Sequence, residues 1–293
     1  MQNIQWFPGH MAKARREMTA AMKAVDAVVE LVDARLPLSS ANPMLSDIIG
    51  ARPRVMVLTR ADMADRIQTE RWLSHYRKLG MAAIAVDAKS GEGIKQIVPA
   101  LEAAATLKRE RDARRGIRPR PLRTMVVGIP NVGKSSLINR LAQRAVTKTG
   151  DRPGITKAQQ WIRIGPVDLL DTPGVLWPKF DTAESGYILA MSGAIKPEIL
   201  DTVDLAMHLV VFLARSYPQI VEDRLGLTPS SLATVDFQST DDVGLVDGEL
   251  SNLAIRRGML MSAARPDVER LSEALVRETQ TGKLGRITFE WCS

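Results

Sequence analysis

The chain has 293 residues, of which 45% are hydrophobic and 25% are charged, as in an ordinary globular protein of one or two domains. No apolar run is long enough to span a membrane, and residues 1–13 lack a signal-peptide pattern, so we expect a cytoplasmic protein without stable membrane insertion. The single cysteine, Cys292, excludes an internal disulfide and a cysteine-based zinc cluster.

Positive charge is concentrated in the first two thirds of the chain. Residues 1–200 contain 31 Lys and Arg and 19 Asp and Glu, a net charge of +12, whereas residues 201–293 contain 9 and 14, a net charge of −5. The densest basic run covers residues 108–123. It is either a solvated linker or a contact with a nucleic-acid backbone, because clustered cations bind by releasing counterions.

Five apolar stretches predict buried strands, and helical patterns alternate with them. The strands are expected at 27–32, 54–58, 82–86, 124–127 and 167–170, and the helices include 69–79, 94–107 and 135–141. This alternation predicts an α/β fold with a doubly wound parallel sheet, in which ligands bind at the carboxyl ends of the strands.

The segment from Gly128 to Ser135, Gly-Ile-Pro-Asn-Val-Gly-Lys-Ser, fits a phosphate-binding loop at every defined position. Its glycines let backbone N–H groups wrap the phosphates, Lys134 bridges the outer phosphates, and the Ser135 hydroxyl binds Mg²⁺. We therefore assign Lys134 a catalytic role. The predicted nucleotide contacts are Asn131, Val132, Gly133, Lys134, Ser135 and Ser136.

A second motif, Asp171-Thr172-Pro173-Gly174, follows an apolar strand about 40 residues later. Asp171 would orient Mg²⁺, and the Gly174 N–H would sense the γ-phosphate. Between the two motifs, Thr156 is predicted to reach Mg²⁺ in the triphosphate state, with Thr147 and Thr149 as rival candidates.

Two motifs that precede the phosphate-binding loop are typical of guanine recognition. In Thr59-Arg60-Ala61-Asp62, the Asp62 carboxylate would accept hydrogen bonds that adenine does not offer, while Arg60 would cover the base. In Asp87-Ala88-Lys89, the Ala88 N–H would donate to the guanine carbonyl. The usual first box is Asn-Lys-x-Asp, and Thr59 replaces only part of what an asparagine amide tethers.

The order of these motifs indicates a circularly permuted P-loop GTPase domain, because ordinary GTPases place the phosphate-binding loop first. We predict an N-terminal segment at 1–25, the permuted domain at 26–200 and an all-helical domain at 201–293, where Leu205, Leu209 and Leu213 recur at helical spacing. The Arg/Pro-rich stretch 108–121 then joins two parts of one domain. Residues 239–248, rich in Asp and Gly, are expected to form an exposed loop.

The residue after Gly174 is Val175, which cannot position a water molecule as a glutamine does. A catalytic group must then come from elsewhere, or hydrolysis is slow. His10, in Trp6-Phe7-Pro8-Gly9-His10-Met11, is the candidate, although a structural or solvated histidine is an equal alternative from the residues alone.

Together these residues resemble the bacterial ribosome biogenesis GTPase A family, also called YlqF, and its mitochondrial relatives. The most specific matches are the N-terminal Trp-Phe-Pro-Gly-His and the permuted order; others are Asp33-Ala34-Arg35, the stretch 171–178 and the stretch 281–286. The resemblance spans nearly the whole chain and departs from the family pattern at Thr59-Arg60.

The resemblance implies a GTPase that acts in late assembly of the large ribosomal subunit. It implies binding to the rRNA and ribosomal proteins of that subunit, and hydrolysis that the subunit and K⁺ stimulate. We further expect no DNA partner and a monomer. His10 matches the histidine implicated in hydrolysis, and Asn131 matches the asparagine associated with K⁺.

Two other readings come from different classes of protein. One is an autonomous metabolic NTPase or kinase, although the sequence offers no second catalytic constellation. The other is a GTP-regulated switch that binds another protein or a membrane, and the lack of a lipidation motif weakens its membrane version.

Overall fold

The computed structural model describes residues 8–143, 160–172, 183–195 and 200–292. The predicted residues Thr156, Gly174 and Val175, with Thr147 and Thr149, lie outside these ranges. The chain separates into two compact units. We call residues 1–182 with 288–293 the sheet unit, and residues 183–287 the helical unit. The predicted ranges 26–200 and 201–293 stay a prediction about folding domains.

The sheet unit contains a six-stranded sheet in the order β3-β2-β1-β4-β6-β5. Its strands are β1 (Ala27–Asp33), β2 (Arg54–Thr59), β3 (Ala82–Ala85), β4 (Leu122–Gly128), β5 (Gln160–Ile164) and β6 (Val167–Asp171). All neighbours are parallel except β5 and β6. The strand order reverses between β1 and β4, and such a reversal opens a ligand crevice at the carboxyl ends.

All five strands expected from the sequence are confirmed, with small shifts at their ends. They are apolar and buried on both faces, as parallel strands covered by helices are. The edge strand β5 was not predicted. It is short and alternates between exposed Trp161, buried Ile162 and exposed Arg163, a much weaker signal than a continuous apolar run.

The described residues of the sheet unit form six helices. They are α1 (Pro8–Met22), α2 (Pro43–Ile49), α3 (Arg66–Lys78), α4 (Ile94–Ala104), α5 (Thr106–Arg114) and α6 (Lys134–Ala142). Met18 and Met22 of α1 join a buried cluster on one face, and Trp72 and Tyr76 of α3 join another. The single helix predicted at 94–107 is two helices, which meet at Ala105. The basic stretch 108–121 is therefore helical as far as Arg114.

The helical unit packs its helices around α8, which is buried along most of its length. The α-helices are α7 (Ala183–Ser192), α8 (Thr202–Ser216), α9 (Pro218–Ile220), α10 (Pro229–Ala233), α11 (Thr240–Arg256) and α12 (Val268–Gln280), with a π-helical turn at Val221–Leu225 and a 3₁₀ turn at Ser262–Ala264. Leu205, Leu209 and Leu213 are fully buried, which confirms the predicted helical spacing.

The exposed loop predicted at 239–248 is wrong. Ser239 is instead the N-cap of α11, and its hydroxyl accepts from the Asp242 backbone N–H at 3.3 Å. The acidic residues Asp241 and Asp242 lie in the first turn, where the helix dipole favours negative charge. The aspartates that indicated a loop thus lie in the first turns of a helix, and the two glycines are tolerated within that helix.

The last residues of the chain belong to the sheet unit, and we call residues 288–292 the C-terminal strap. The Glu290 carboxylate accepts from the backbone N–H groups of Leu38 and Ser39 at 2.6 and 2.9 Å. The Trp72 indole donates to the Glu290 carbonyl at 2.9 Å. The Phe289 N–H donates to the Arg35 carbonyl at 2.6 Å. The strap therefore supplies hydrogen-bond acceptors for backbone N–H groups in the loop after β1, and it anchors α3 through Trp72.

Within the described residues, no helix combines the length and the apolar character needed to cross a bilayer.

Two consecutive alanines between α11 and α12 adopt left-handed backbone conformations, with φ of 62° at Ala263 and 54° at Ala264. Such a conformation costs an L-residue about 1–2 kcal/mol, whereas glycine adopts it freely. After the larger chain entropy of unfolded glycine is subtracted, Ala264→Gly should raise the free energy of unfolding by about 0.5–1 kcal/mol. Urea unfolding followed by circular dichroism measures this change.

The matched control is Ala113→Gly in the exposed helix α5, which should lower the free energy of unfolding by about 1 kcal/mol. Equal destabilisation by both substitutions would contradict the strain at Ala264.

Candidate nucleotide site

The phosphate-binding loop connects the carboxyl end of β4 to the first turn of α6. Gly128 has a φ of 153°, and a Cβ atom there would lie 2.7 Å from the Leu31 carbonyl oxygen. Gly133 has a φ of 101° and caps α6, which begins at Lys134. Glycine is therefore required at the first position for space and at the second for conformation. The loop delivers the N-terminus of a helix, where backbone N–H groups favour an anion.

Lys134 is buried, and its ammonium group donates to the loop's own carbonyls at Gly128 (3.2 Å) and Ile129 (2.7 Å). Burial lowers the pKa of Lys134 to about 8, while the charge of Asp171 acts in the opposite direction. Loss of water around the amine thus weakens its hold on the proton. A bound phosphate would restore the charge by direct attraction.

Asp171 ends β6 and pairs in register with Val126 of β4. The next residue, Thr172, donates its hydroxyl to the Val126 carbonyl at 2.6 Å, so the strand end is fixed against β4. Ser135, at the second position of α6, is half-buried. A carboxylate at the end of β6 and a hydroxyl in the first turn of α6 are hard oxygen donors, which fit Mg²⁺. When bound, the metal would neutralise phosphate charge.

The first base-reading motif is tied directly to the phosphate-binding loop. The Thr59 hydroxyl lies 2.7 Å from the Val132 carbonyl and 3.1 Å from the Val32 carbonyl. The Arg60 guanidinium donates to the Asn131 carbonyl at 2.7 Å. Residues that are 71 and 73 positions apart in sequence thus form one site. The Thr59 hydroxyl therefore tethers the base-reading motif to the phosphate-binding loop, with fewer hydrogen-bonding groups than an asparagine amide has.

The end of β1 lies between these motifs and carries a buried ion pair. Arg35 donates to Asp33 through Nε at 3.0 Å and Nη2 at 2.8 Å, and both residues are almost fully buried. Arg60 approaches the same carboxylate at 3.4 Å. Burial would raise the pKa of Asp33, but the guanidinium groups of Arg35 and Arg60 hold it below its usual value. Asp33 therefore stays charged and positions Arg60.

Asp33 and Arg35 are not among the site residues predicted from the sequence. The available signal was an Asp-x-Arg pair at the end of a largely apolar strand, where an unpaired charge would be costly to bury.

The other base-reading residues lie on the loops after β2 and β3. The Ala61 N–H donates to the Val86 carbonyl at 3.2 Å, and Asp62 is half-buried. The Asp87 carboxylate accepts from the Lys89 and Ser90 N–H groups at 2.7 and 3.0 Å. Burial would raise the pKa of Asp87, but the hydrogen bonds from Ser90 and Lys89 lower it. Asp87 therefore shapes the loop that carries Ala88.

The structure brings together most of the predicted nucleotide residues at the carboxyl edge of the sheet, and their roles stay predictions. They are Thr59, Arg60, Ala61, Asp62, Asp87, Ala88, Lys89, Asn131, Val132, Gly133, Lys134, Ser135, Ser136 and Asp171. Lys89 and Ser136 are exposed. The backbone of His10 lies in the first turn of α1. Thr156 and Gly174 fall outside the described residues.

Comparisons with known proteins show which family the chain belongs to. The family model described as "50S ribosome-binding GTPase" matches residues 123–239. Ribosome biogenesis GTPase A of Bacillus cereus is 47% identical over 98% of this chain and 93% of its own length. The chain belongs to the ribosome biogenesis GTPase A family. It is therefore a GTPase with the permuted fold that the motif order predicts.

More distant members of the ribosome biogenesis GTPase A family extend the comparison. Mitochondrial ribosome-associated GTPase 1 of Mus musculus is 36% identical over 72% of this chain and 67% of its own length. The crystal structure of GNP-bound YlqF from T. maritima covers 96% of this chain and 99% of its own, with a TM-score of 0.64. At 24% identity, that likeness shows the shared fold.

Removal of the Thr59 hydroxyl should loosen the phosphate-binding loop. In Thr59→Val the carbonyls of Val132 and Val32 lose their partner, so affinity for both GDP and GTP should fall about 5- to 10-fold, as expected for one hydrogen bond of about 1 kcal/mol. Titration with a fluorescent guanine nucleotide measures this. Thr59→Ser keeps the hydroxyl and should bind like the parent; equal losses in both variants would argue against the tether.

Nucleotide binding should take up protons at alkaline pH. Burial lowers the pKa of Lys134 from 10.5 to about 8, so at a pH between these values its amine is mostly neutral in the protein without nucleotide. Bound phosphates would favour the charged form of the amine. At pH 8.5 we expect uptake of roughly 0.5–1 proton for each GDP bound, and an affinity that falls as pH rises further.

Calorimetry of GDP binding in buffers of different ionisation enthalpy counts these protons. At pH 7 the amine is already charged, so uptake should be much smaller there. Identical proton counts at pH 7 and 8.5 would show that Lys134 does not change its charge on binding.

Proposed function

We propose that this GTPase acts in late assembly of the large ribosomal subunit, as a switch that binds the subunit in its GTP form. The observation that carries the proposal is the joined site, in which Thr59 and Arg60 contact the loop of Asn131 and Val132. The ribosomal role is supported by relatives named for ribosome biogenesis at 47% identity over nearly the whole chain.

The proposed site uses guanine contacts from Asp62 and Ala88, and phosphate contacts from the loop around Lys134. Mg²⁺ would be held by Ser135, Asp171 and, in the triphosphate state, Thr156. We further propose that K⁺ binds near Asn131, which has a φ of 57° and turns the loop where its carbonyl meets Arg60. The γ-phosphate sensor would be Gly174, from which the chain leads directly into the helical unit.

The proposed partners are the rRNA and ribosomal proteins of the large subunit, bound by a cytoplasmic monomer. The net charge of +12 over residues 1–200 supports a polyanionic partner. Lys283 and Arg286 would add contacts from the region after α12. The helical region at 201–293 is net acidic, which argues against it as a general RNA clamp.

We propose that His10 supplies the group that Val175 lacks. It lies at the start of α1, on an N-terminal segment that a bound ribosomal subunit would order. Hydrolysis would then be slow in the free protein and faster on the subunit. Because the GTP form is the one that binds, hydrolysis would release the protein from the subunit after docking.

The test measures GTP and ATP hydrolysis in K⁺ buffer, with and without isolated large ribosomal subunits. We expect slow GTP turnover alone, a severalfold rise with subunits and little ATP turnover. His10→Ala should abolish the rise without changing GTP affinity. Asp62→Asn should weaken GTP binding by roughly 10- to 100-fold, since it removes one of two hydrogen bonds to a charged acceptor, and each contributes about 1.5–3 kcal/mol.

Fast turnover of the free protein would favour an autonomous enzyme. A lack of response to subunits would favour a switch with another protein partner. If subunits still stimulate His10→Ala, the catalytic assignment of His10 is wrong while the ribosomal role stands.

A further inference from the structure

A basic surface with one exposed tryptophan lies on the edge strand β5, where Trp161 is the register partner of Leu170. Trp161 on the edge strand β5 is 40% exposed, although tryptophan is mostly buried in folded proteins. The Arg123 guanidinium lies 5.6 Å from the centre of its ring. Arg123 is the second residue of β4, five residues before Gly128, so its backbone lies roughly 16 Å along the strand from the phosphate-binding loop.

The strand register places further cations beside Trp161. Arg123 is the register partner of Asp168, which is in turn the partner of Arg163. Arg163 pairs with Asp168, and its side chain is 61% exposed. Trp161 and Arg163 are two residues apart on one strand and therefore share a face. The Arg123 guanidinium thus lies over the indole, and Arg163 is the next residue on the same face of β5.

A cleft of about 290 Å³, lined mostly by residues of the basic stretch 108–121, includes Leu122, the neighbour of Arg123 in β4. Two carboxylates in the cleft are already neutralised: Asp26 by Lys108 at 3.0 Å and Arg120 at 2.7 Å, and Asp112 by Lys108 at 2.6 Å. Among the described residues, Arg118 and Arg123 have no acidic partner within ion-pair distance. The ion pairs fix the side chains that line the cleft, while the guanidinium groups of Arg118 and Arg123 remain available to bind an anion.

We propose that Trp161 and its flanking arginines form a binding surface for an unpaired stretch of RNA, with one base stacked on the indole. An exposed aromatic ring bordered by cations is how proteins hold single strands, because every base has a face that stacks and every nucleotide carries a phosphate. Duplex RNA hides its base faces, so the tryptophan adds nothing to duplex binding. This inference rests on the proposed function for its cellular partner, but its chemistry is tested separately.

The experiment measures binding of a fluorescently labelled, unstructured 12-nucleotide RNA to the full chain by anisotropy, with an RNA hairpin of equal charge as comparison. Trp161→Ala should weaken binding of the unpaired RNA about tenfold, within the range of one lost stacking contact, and leave hairpin binding unchanged. Trp161→Phe should bind nearly like the parent. Trp291→Ala, which removes another exposed tryptophan (53%), is the matched control and should have no effect.

Salt dependence separates stacking from charge. Trp161→Ala removes no charge, so the slope of log affinity against log salt should not change, whereas Arg118→Ala should reduce that slope by about 1. Guanine nucleotide affinity should be equal in all variants. Photocrosslinking of a 4-thiouridine RNA to the parent protein should label the peptide that contains Trp161, which keeps the test valid if Trp161→Ala folds poorly.

Unchanged affinity of Trp161→Ala for unpaired RNA would overturn the proposal, as would an equal loss on the hairpin or crosslinks confined to other peptides. Loss of subunit binding with unchanged RNA affinity would also overturn it and favour a protein partner. If subunits stimulate the parent and Trp161→Ala alike while RNA affinity is unchanged, only this inference fails. If subunits never stimulate hydrolysis but Trp161→Ala loses unpaired RNA, only the ribosomal function fails.

Discussion

The Thr59 hydroxyl donates to a carbonyl 73 residues away, in the loop that wraps the phosphates. In the permuted chain the base-reading motif and this loop are far apart in sequence. Contacts of this kind therefore keep the distance between the motif and the loop fixed. Arg60 adds a second contact, to Asn131, and is itself held by Asp33. Because breaking a buried ion pair by removing one partner costs about 3–5 kcal/mol, the Asp33–Arg35 pair makes this arrangement stiff.

The sheet explains why such a permutation is tolerated. The neighbours of β1 are β2 and β4, and the carboxyl ends of these three strands meet at one edge whatever their order in the chain. The cost of the permutation is a connection between the old chain ends. Helices α4 and α5, which meet at Ala105, and the basic stretch after them provide that connection, and Lys108 and Arg120 fix it to Asp26 at the start of β1.

Much of this molecule is readable from the sequence because its signals are local. Apolar strands buried on both faces, and a glycine loop between a strand and a helix, each need only about ten residues to be recognised. The edge strand β5 escaped because half of its side chains face solvent. The start of α11 was taken for a loop because Ser and Asp favour both turns and helix N-termini.

The missing parts of the site depend on contacts between distant residues. A sequence shows that Asp33 and Arg35 are charged, but only the fold shows that both are buried and that Arg60 reaches the same carboxylate. Burial also sets the charge state of Lys134, since its lowered pKa follows from lost hydration, which is a property of the packed site. The motif identifies the lysine, and its surroundings determine how tightly the proton is held.

The C-terminal strap has a consequence for the order in which the protein is made. Proteins are synthesised from the N-terminus, and domains generally fold as units as they emerge. Here residues 288–292 belong to the sheet unit, while the intervening helical unit is complete by residue 287. The residues that accept from the Leu38 and Ser39 N–H groups beside the end of β1 are therefore translated only after the whole helical unit. A prematurely terminated chain would carry every nucleotide motif and still lack this closure.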